Sequence, residues 1–127
     1  MSTSLGFPKR VFQVAAIYGL LVLLPQYLVE LGLGSAEPVR LARPEYFYGF
    51  VGVAVAWQLV FLLIAHDVRR YRPLMLLAVV EKLAFGLAVV PLFAAHRIAV
   101  DMLAAGLIDL ALGAFFVLAY RATPSER

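Results

Sequence analysis

The chain has 127 residues, of which 64% are hydrophobic and only 15% are charged, and its formal net charge is +3. Soluble domains have about 45–50% apolar and about 25% charged residues, so the composition excludes a water-soluble domain. The positive charges are dispersed around apolar segments and form no basic face, which excludes a nucleic-acid-binding protein. The absence of cysteine excludes disulfides, thiolate metal sites and iron–sulfur clusters.

Four long apolar segments follow one another along the chain, at residues 11–29, 46–65, 74–95 and 98–120. Each has about the 20 residues that a helix needs to cross a hydrocarbon core of roughly 30 Å. The segments are continuously apolar, whereas strands of a membrane barrel alternate apolar and polar residues. The sequence therefore predicts an all-α fold: a four-transmembrane-helix bundle with up-down-up-down topology, which forms a single integral membrane domain of residues 1–127.

The first apolar segment also has features of a secretory signal peptide. Lys9 and Arg10 precede it, and the small residues 34–36 resemble a cleavage site. The apolar run is longer than a typical signal core, however, and it contains Gln13 and Tyr18. We therefore interpret it as a retained membrane span.

Lysine and arginine are distributed unevenly between the two sides of the predicted membrane. One side has Lys9, Arg10, Arg69, Arg70, Arg72, Arg121 and Arg127, and the other has Arg40, Arg43 and Arg97. Positive charge is enriched in cytoplasmic loops, so we expect a multi-pass protein of the bacterial inner membrane with both termini in the cytoplasm. The same bias argues against insertion in both orientations.

The connections between the spans differ in length. Short connections at 68–72 and 96–97 predict that the second, third and fourth helices are antiparallel neighbours. The first loop, 31–45, is longer and rich in turn-forming residues, so at most a short interfacial helix fits there. Pro25 and Pro91 lie near the outer ends of the first and third spans, where we expect kinks that open that side of the bundle.

Three ionisable residues, Glu81, Lys82 and Asp109, lie inside predicted spans. A charged Lys or Asp at mid-helix costs about 2.5–3.5 kcal/mol on insertion scales, so these groups require compensation. At about 1.5 Å per residue, Glu81 and Lys82 lie roughly 12–14 Å from the inner end of their helix, and Asp109 lies roughly 16 Å from the same side. The matching depths and the tight turn between the two helices predict an ion pair between Lys82 and Asp109.

Small residues surround this predicted pair. Ala105, Gly106 and Gly113 share the helix face of Asp109, and Gly86 lies one turn beyond Lys82. Small residues allow two membrane helices to approach closely, so we expect the carboxylate of Asp109 to point into the bundle.

Gln58 and Tyr18 lie at similar depths and are candidates to complete a ligand or proton site with the three ionisable residues. The position of Gln58 depends on how its helix is rotated. A stripe of small residues, Gly49, Gly52 and Ala56, lies on a different face, and if that stripe contacts the other helices, Gln58 points away from them.

The chemistry of the polar residues leaves several roles open. The lysine does not neutralise both acids equally, so Glu81 and Asp109 could share a proton, and they are candidate catalytic residues as acid and base. Alternatively, a buried ion pair could serve only to fix the register of the helices. His66 and His96 fall at opposite ends of the spans, which excludes a bis-histidine haem, and we predict no metal site and no cofactor.

The whole chain resembles the small uncharacterised four-helix bacterial inner-membrane proteins grouped around the DoxX-like and BphX-like families. The resemblance lies in the number of spans, in Pro25 near the end of the first helix, in Glu81-Lys82-x-x-x-Gly86 and in Asp109. It implies a four-helix bundle and an accessory role near quinone or hydrophobic-substrate metabolism. It implies no catalytic residues.

From these features we expect a small membrane protein that acts as a binding or accessory subunit with a buried Lys/Asp/Glu centre. The alternatives are a proton-coupled carrier that works as an oligomer and an intramembrane enzyme, either an isomerase or a quinone-linked enzyme, that acts on a lipophilic substrate. Expected partners are the lipid bilayer, a lipophilic small molecule, and further copies of the chain or a larger membrane complex, with no nucleic acid among them.

Overall fold

The computed structural model describes residues 2–30 and 44–125, with side chains for residues 5–28 and 44–125. The described residues form four helices and no strand: α1 (Ser2–Glu30), α2 (Pro44–His66), α3 (Arg72–Ala94) and α4 (Val100–Ala122). The predicted all-α four-helix fold is therefore confirmed. The expectation of at most a short helix between the first two spans concerns residues 31–43, which lie outside the described part of the chain.

Helices α2, α3 and α4 begin and end within two residues of the predicted spans, but α1 begins at Ser2 instead of residue 11. Apolar periodicity identifies only the part of a helix that lies in hydrocarbon, and backbone hydrogen bonding continues beyond it through Lys9 and Arg10. The helix also continues through Pro8, whose side chain is buried.

All four helices are long and apolar enough to cross a membrane, and only 22–28% of each apolar window is buried inside the protein. The remaining residues include large side chains that point outward, such as Leu21, Val80 and Leu87. Water does not tolerate a continuous apolar surface of this extent, whereas lipid does. The chain is therefore a small multi-pass membrane protein.

The helices form a ring in the order α1, α2, α3, α4, but their contacts are unequal. The contacts between α3 and α4 and between α1 and α2 are extensive, α1 also packs against α4, and α2 touches α3 only slightly. Of the predicted antiparallel neighbours, α3 and α4 therefore pack closely, whereas α2 and α3 pack only loosely. A short connection fixes which helices follow one another, but side-chain size decides how closely they approach.

We call the end of the bundle where α1 and α3 begin and α2 and α4 end the basic end. Its interior is filled by three buried rings, Phe12, Phe61 and Phe116. The ring centroids of Phe12 and Phe116 are 4.3 Å apart, and those of Phe61 and Phe116 are 5.0 Å apart. With Met75 and Ile64, which are also fully buried, these rings close the basic half of the bundle.

The turn between α3 and α4 lies at the opposite end of the bundle. The backbone N–H of Arg97 donates to the carbonyl of Leu92 at 2.9 Å, and the N–H of His96 donates to the carbonyl of Phe93 at 2.9 Å. This is the Schellman pattern, and His96 occupies its left-handed position with φ of 59°. The turn holds α3 and α4 as close antiparallel neighbours, which brings the polar residues of the two helices to the same depth.

Candidate functional site

A seam of glycines joins α3 and α4 next to the polar residues. A methyl group at Gly86 would lie 3.0 Å from the carbonyl oxygen of Gly106, and one at Gly106 would overlap the side chain of Val89. One at Gly113 would lie 3.4 Å from the Cβ of Lys82. The close approach predicted from the small residues is therefore present, and it sets Lys82 against α4.

Lys82 lies between two carboxylates. Its Nζ donates a hydrogen bond to Asp109 Oδ1 at 3.4 Å and lies 3.7 Å from Glu81 Oε1. The lysine side chain is 4% exposed and each carboxylate is 17% exposed. The predicted contact between Lys82 and Asp109 is therefore present, and the lysine also reaches Glu81. With both acids ionised, the three side chains carry a net charge of about −1.

Gln58 of α2 faces these residues from the other side of the bundle. It is 2% exposed, and its Nε2 donates to the carbonyl oxygen of Ala54 at 2.8 Å. Its side chain packs where Gly19 of α1 has none, since a methyl group at Gly19 would overlap it. The amide is therefore enclosed between α1 and α2.

The stripe of small residues on α2 does not turn Gln58 away from the bundle, because only Gly52 of its three members is partly buried and near another helix. Gly49 and Ala56 are exposed, and a methyl group at Gly49 would meet no atom within 4 Å. An amide in contact with lipid would lose hydrogen-bonding partners, whereas a glycine or an alanine loses nothing there. The polar residue therefore decides the rotation of α2, and Gln58 turns inward.

Two side-chain oxygens of the site have no hydrogen-bond donor among the described residues. They are Gln58 Oε1 and Glu81 Oε1, and both are fully buried. The Lys82 ammonium has three N–H groups, and its one hydrogen bond to a described residue goes to Asp109. The site thus offers acceptors that lack donors and donors that lack acceptors.

These groups form the floor of a cavity of about 130 Å³ between all four helices. The cavity extends from mid-membrane toward the end opposite the basic end, where Gln26, Phe50 and Met102 border it. Its lining includes every predicted site residue: Glu81, Lys82, Asp109, Gln58 and Tyr18. Their role as a ligand or proton site stays a prediction.

Several lining residues were not predicted from the sequence. Phe50 and Phe85 line the cavity from α2 and α3, and Gly19 lies beside Gln58. Gly19 carried a usable signal, because a glycine in mid-span next to a polar residue indicates a close approach. The two phenylalanines carried none, since large apolar residues occupy most positions of every span.

A second groove, of about 640 Å³, lies on the outer surface of α1 and α4 near the basic end. It is lined by Gly6, Phe7, Arg10, Val11, Val14, Leu112 and Phe115. None of the predicted site residues borders it. The smaller central cavity is therefore the better candidate site, because polar groups from different helices converge there.

His66 ends α2 at the basic end, and His96 lies at the opposite end, so the two histidines are far from each other and from the central cavity. In the described part of the chain, no three His, Cys, Asp or Glu residues are grouped so that they could hold a metal ion.

Comparison with protein-family models, with curated proteins and with solved structures finds no match to this chain. The fold and the site define its class by themselves: a four-span membrane protein with a Glu-Lys-Asp centre and a buried glutamine around a central cavity. The resemblance to DoxX-like and BphX-like proteins stays a prediction from the sequence.

Proposed function

We propose that the chain is a binding protein of the membrane that holds the hydroxyl head of a lipophilic molecule in its central cavity. The observation that carries this proposal is the side-chain oxygen of Gln58, which is buried without a hydrogen-bond donor among the described residues. Glu81 Oε1, in the same cavity, is ion-paired with Lys82 at 3.7 Å but likewise has no hydrogen-bond donor among the described residues.

A purely structural role does not account for Gln58. A buried acceptor without a donor costs about 1–3 kcal/mol, so an apolar residue of similar size would stabilise the fold better. The register of α3 and α4 is already fixed by the Lys82–Asp109 contact and by the glycine seam, neither of which includes α2. A ligand that donates to the glutamine removes the deficit.

A hydroxyl group matches the site better than a charged head group does. It can donate to Gln58 or Glu81 and accept from the spare N–H groups of Lys82. A carboxylate head would be repelled by both acids, and an ammonium head, which has no acceptor, could not receive a hydrogen bond from Lys82. The cavity of about 130 Å³ is small beside the roughly 300–1,000 Å³ of pockets for drug-sized ligands, so it accommodates a head group and the start of a chain.

Gln58→Leu should therefore weaken binding of the alcohol without loss of stability. In nanodiscs we expect the wild type to retain deuterated dodecanol in preference to dodecylamine and dodecanoate. Gln58→Leu should weaken dodecanol binding by roughly tenfold, the effect of one lost hydrogen bond. Retention is measured by mass spectrometry after separation from empty nanodiscs, and stability by thermal unfolding.

Gln13→Leu is the matched control, because it makes the same chemical change at an exposed position outside the cavity. It should retain dodecanol as the wild type does. Equal retention by the wild type and Gln58→Leu, or a preference for dodecylamine, would contradict the proposal.

A proton-coupled carrier that works as an oligomer is the second candidate, because two carboxylates face one lysine. In vesicles that contain a pH-sensitive dye, a carrier would change the internal pH when dodecanol is added, and Asp109→Asn would abolish the change. A binding protein would leave the pH unchanged. An enzyme in which Glu81 and Asp109 act as acid and base stays the third possibility predicted from the sequence.

We further propose that the protein resides in the bacterial inner membrane with the basic end in the cytoplasm, as the distribution of Lys and Arg favours. The central cavity then opens toward the outer half of the bilayer. Because the chain has no cysteine, single cysteines can report the orientation, and His66→Cys and Ala99→Cys leave the Lys and Arg count unchanged.

An impermeant maleimide should label Ala99→Cys in intact cells and His66→Cys only after the membrane is permeabilised. The opposite pattern would show that the basic end faces outward.

A further inference from the structure

The slight contact between α2 and α3 leaves a cleft of about 570 Å³ on the side of the bundle that faces lipid. Its lining is mostly apolar and comes from these two helices alone: Gly49, Phe50, Val53, Ala54, Trp57, Leu77, Val80, Glu81, Ala84 and Phe85. Four of these residues, Phe50, Ala54, Glu81 and Phe85, also line the central cavity. The cleft and the cavity are therefore adjacent and share part of their lining.

We infer that this cleft is a lateral portal through which a lipophilic alcohol passes from the bilayer to the central cavity, and that its hydrocarbon tail remains in the cleft. The inference rests on the proposed function and adds the route and the placement of the tail.

The sizes of the two spaces support this division of the ligand. The cavity of about 130 Å³ accepts a head group, and the cleft of about 570 Å³ falls within the range of pockets for whole small molecules. The cleft has little polar surface apart from Glu81, whereas the cavity gathers the polar groups of all four helices. An amphipathic molecule matches this arrangement, in which the outer cleft is apolar and the inner cavity is polar.

Glu81 lies at the boundary between the two spaces. Its side chain lines both, and its buried Oε1 has no donor among the described residues. A hydroxyl that arrives from the cleft would meet the Glu81 side chain, whose Oε1 lies 3.7 Å from Lys82 Nζ. The carboxylate is thus positioned to pass the head group from the cleft into the cavity.

Two aromatic rings form the rest of the boundary. The ring centroids of Phe50 and Phe85 are 6.2 Å apart, which is a contact between one ring of α2 and one of α3. Side-chain rotations of such rings can widen the passage without moving a helix. No equivalent boundary exists between α3 and α4, where the glycine seam brings the backbones together.

The other routes into the cavity are less suited to a molecule dissolved in lipid. The rings of Phe12, Phe61 and Phe116 close the basic end. The contacts of α1 with α2 are extensive, and Gln58 fills the space beside Gly19. The α2–α3 cleft faces lipid and shares four lining residues with the cavity around the polar centre.

Ala84→Trp tests the portal, because Ala84 is exposed and lines the cleft but not the cavity. Ala111→Trp is the matched control on a lipid-facing position of α4. The probe is dodecanol with a diazirine at its distal end, in nanodiscs. The wild type should be photolabelled on the cleft residues of α2 and α3, as located by peptide mass spectrometry.

Ala84→Trp should slow uptake of the probe roughly tenfold, as for a gate whose open fraction falls to about a tenth, and should remove the cleft labelling. Ala111→Trp should behave as the wild type. Gly49→Trp obstructs the same cleft from α2 and should reproduce the effect, so a folding defect of one variant does not decide the result.

The labelling and the retention measurements together distinguish the portal from the proposed binding function. Labelling on the outer groove of α1 and α4, with retention that still depends on Gln58, would overturn the portal and leave the proposed function intact. Unchanged uptake in both Ala84→Trp and Gly49→Trp would also overturn the portal. Retention that does not depend on Gln58 would overturn both.

Discussion

Lys82→Met is expected to lower the free energy of unfolding by about 3–5 kcal/mol, the usual effect of removing one partner of a buried ion pair. The lysine is the only cation within 4 Å of Glu81 and Asp109 among the described residues. Without it, two carboxylates would face an apolar interior with no opposing charge. Reversible unfolding in mixed micelles measures the loss.

A second substitution, at Asp109, shows whether the loss of stability in Lys82→Met comes from uncompensated charge or from lost packing. Adding Asp109→Leu to Lys82→Met should recover part of the lost stability, because it removes one of the uncompensated carboxylates. Lys9→Met, at an exposed residue at the basic end, should change stability little. Exchange of the pair, Lys82→Asp with Asp109→Lys, tests the contact directly. If the losses of stability of the two single substitutions simply add in either double variant, the side chains of Lys82 and Asp109 do not interact.

Gly86→Val is expected to destabilise the bundle by about 3 kcal/mol, at the upper end of the usual range for overpacking. The reason is that the first added carbon would lie 3.0 Å from the backbone oxygen of Gly106, which cannot yield without moving α4. Separation of α3 from α4 would also break the hydrogen bond between Lys82 and Asp109. The same unfolding measurement in mixed micelles checks the change.

Gly49→Val provides the matched control, since no atom lies within 4 Å of a methyl group at that lipid-facing position. It should leave stability almost unchanged. If the two glycine substitutions have equal effects, the close approach of α3 and α4 does not stabilise the bundle.

The sequence predicts the helices and the depth of the polar residues well, because both depend on distance along the chain. The length of each apolar run locates a span, and the rise per residue brings Lys82 and Asp109 to one level. The tight turn at His96 then makes their helices neighbours. These inferences require no knowledge of side-chain packing.

The rotation of α2 and the shape of the cavity could not be predicted in the same way. Small residues and Gln58 lie on different faces of α2, and sequence periodicity does not say which face turns inward. The rings that meet between α2 and α3, Phe50 and Phe85, are distant in sequence and resemble many lipid-facing residues. The missing donor of the Gln58 oxygen appears only when all its neighbours are known.

The most direct test of the proposed binding role is native mass spectrometry of the protein released from nanodiscs that contain dodecanol. We predict that the wild type and Gln13→Leu carry bound alcohol and that Gln58→Leu, although folded, carries roughly tenfold less. The same spectra report whether the protein is a monomer or an oligomer. If the alcohol is absent from the wild type, or equally abundant on Gln58→Leu, the central cavity does not bind a hydroxyl head group and the proposed function is wrong.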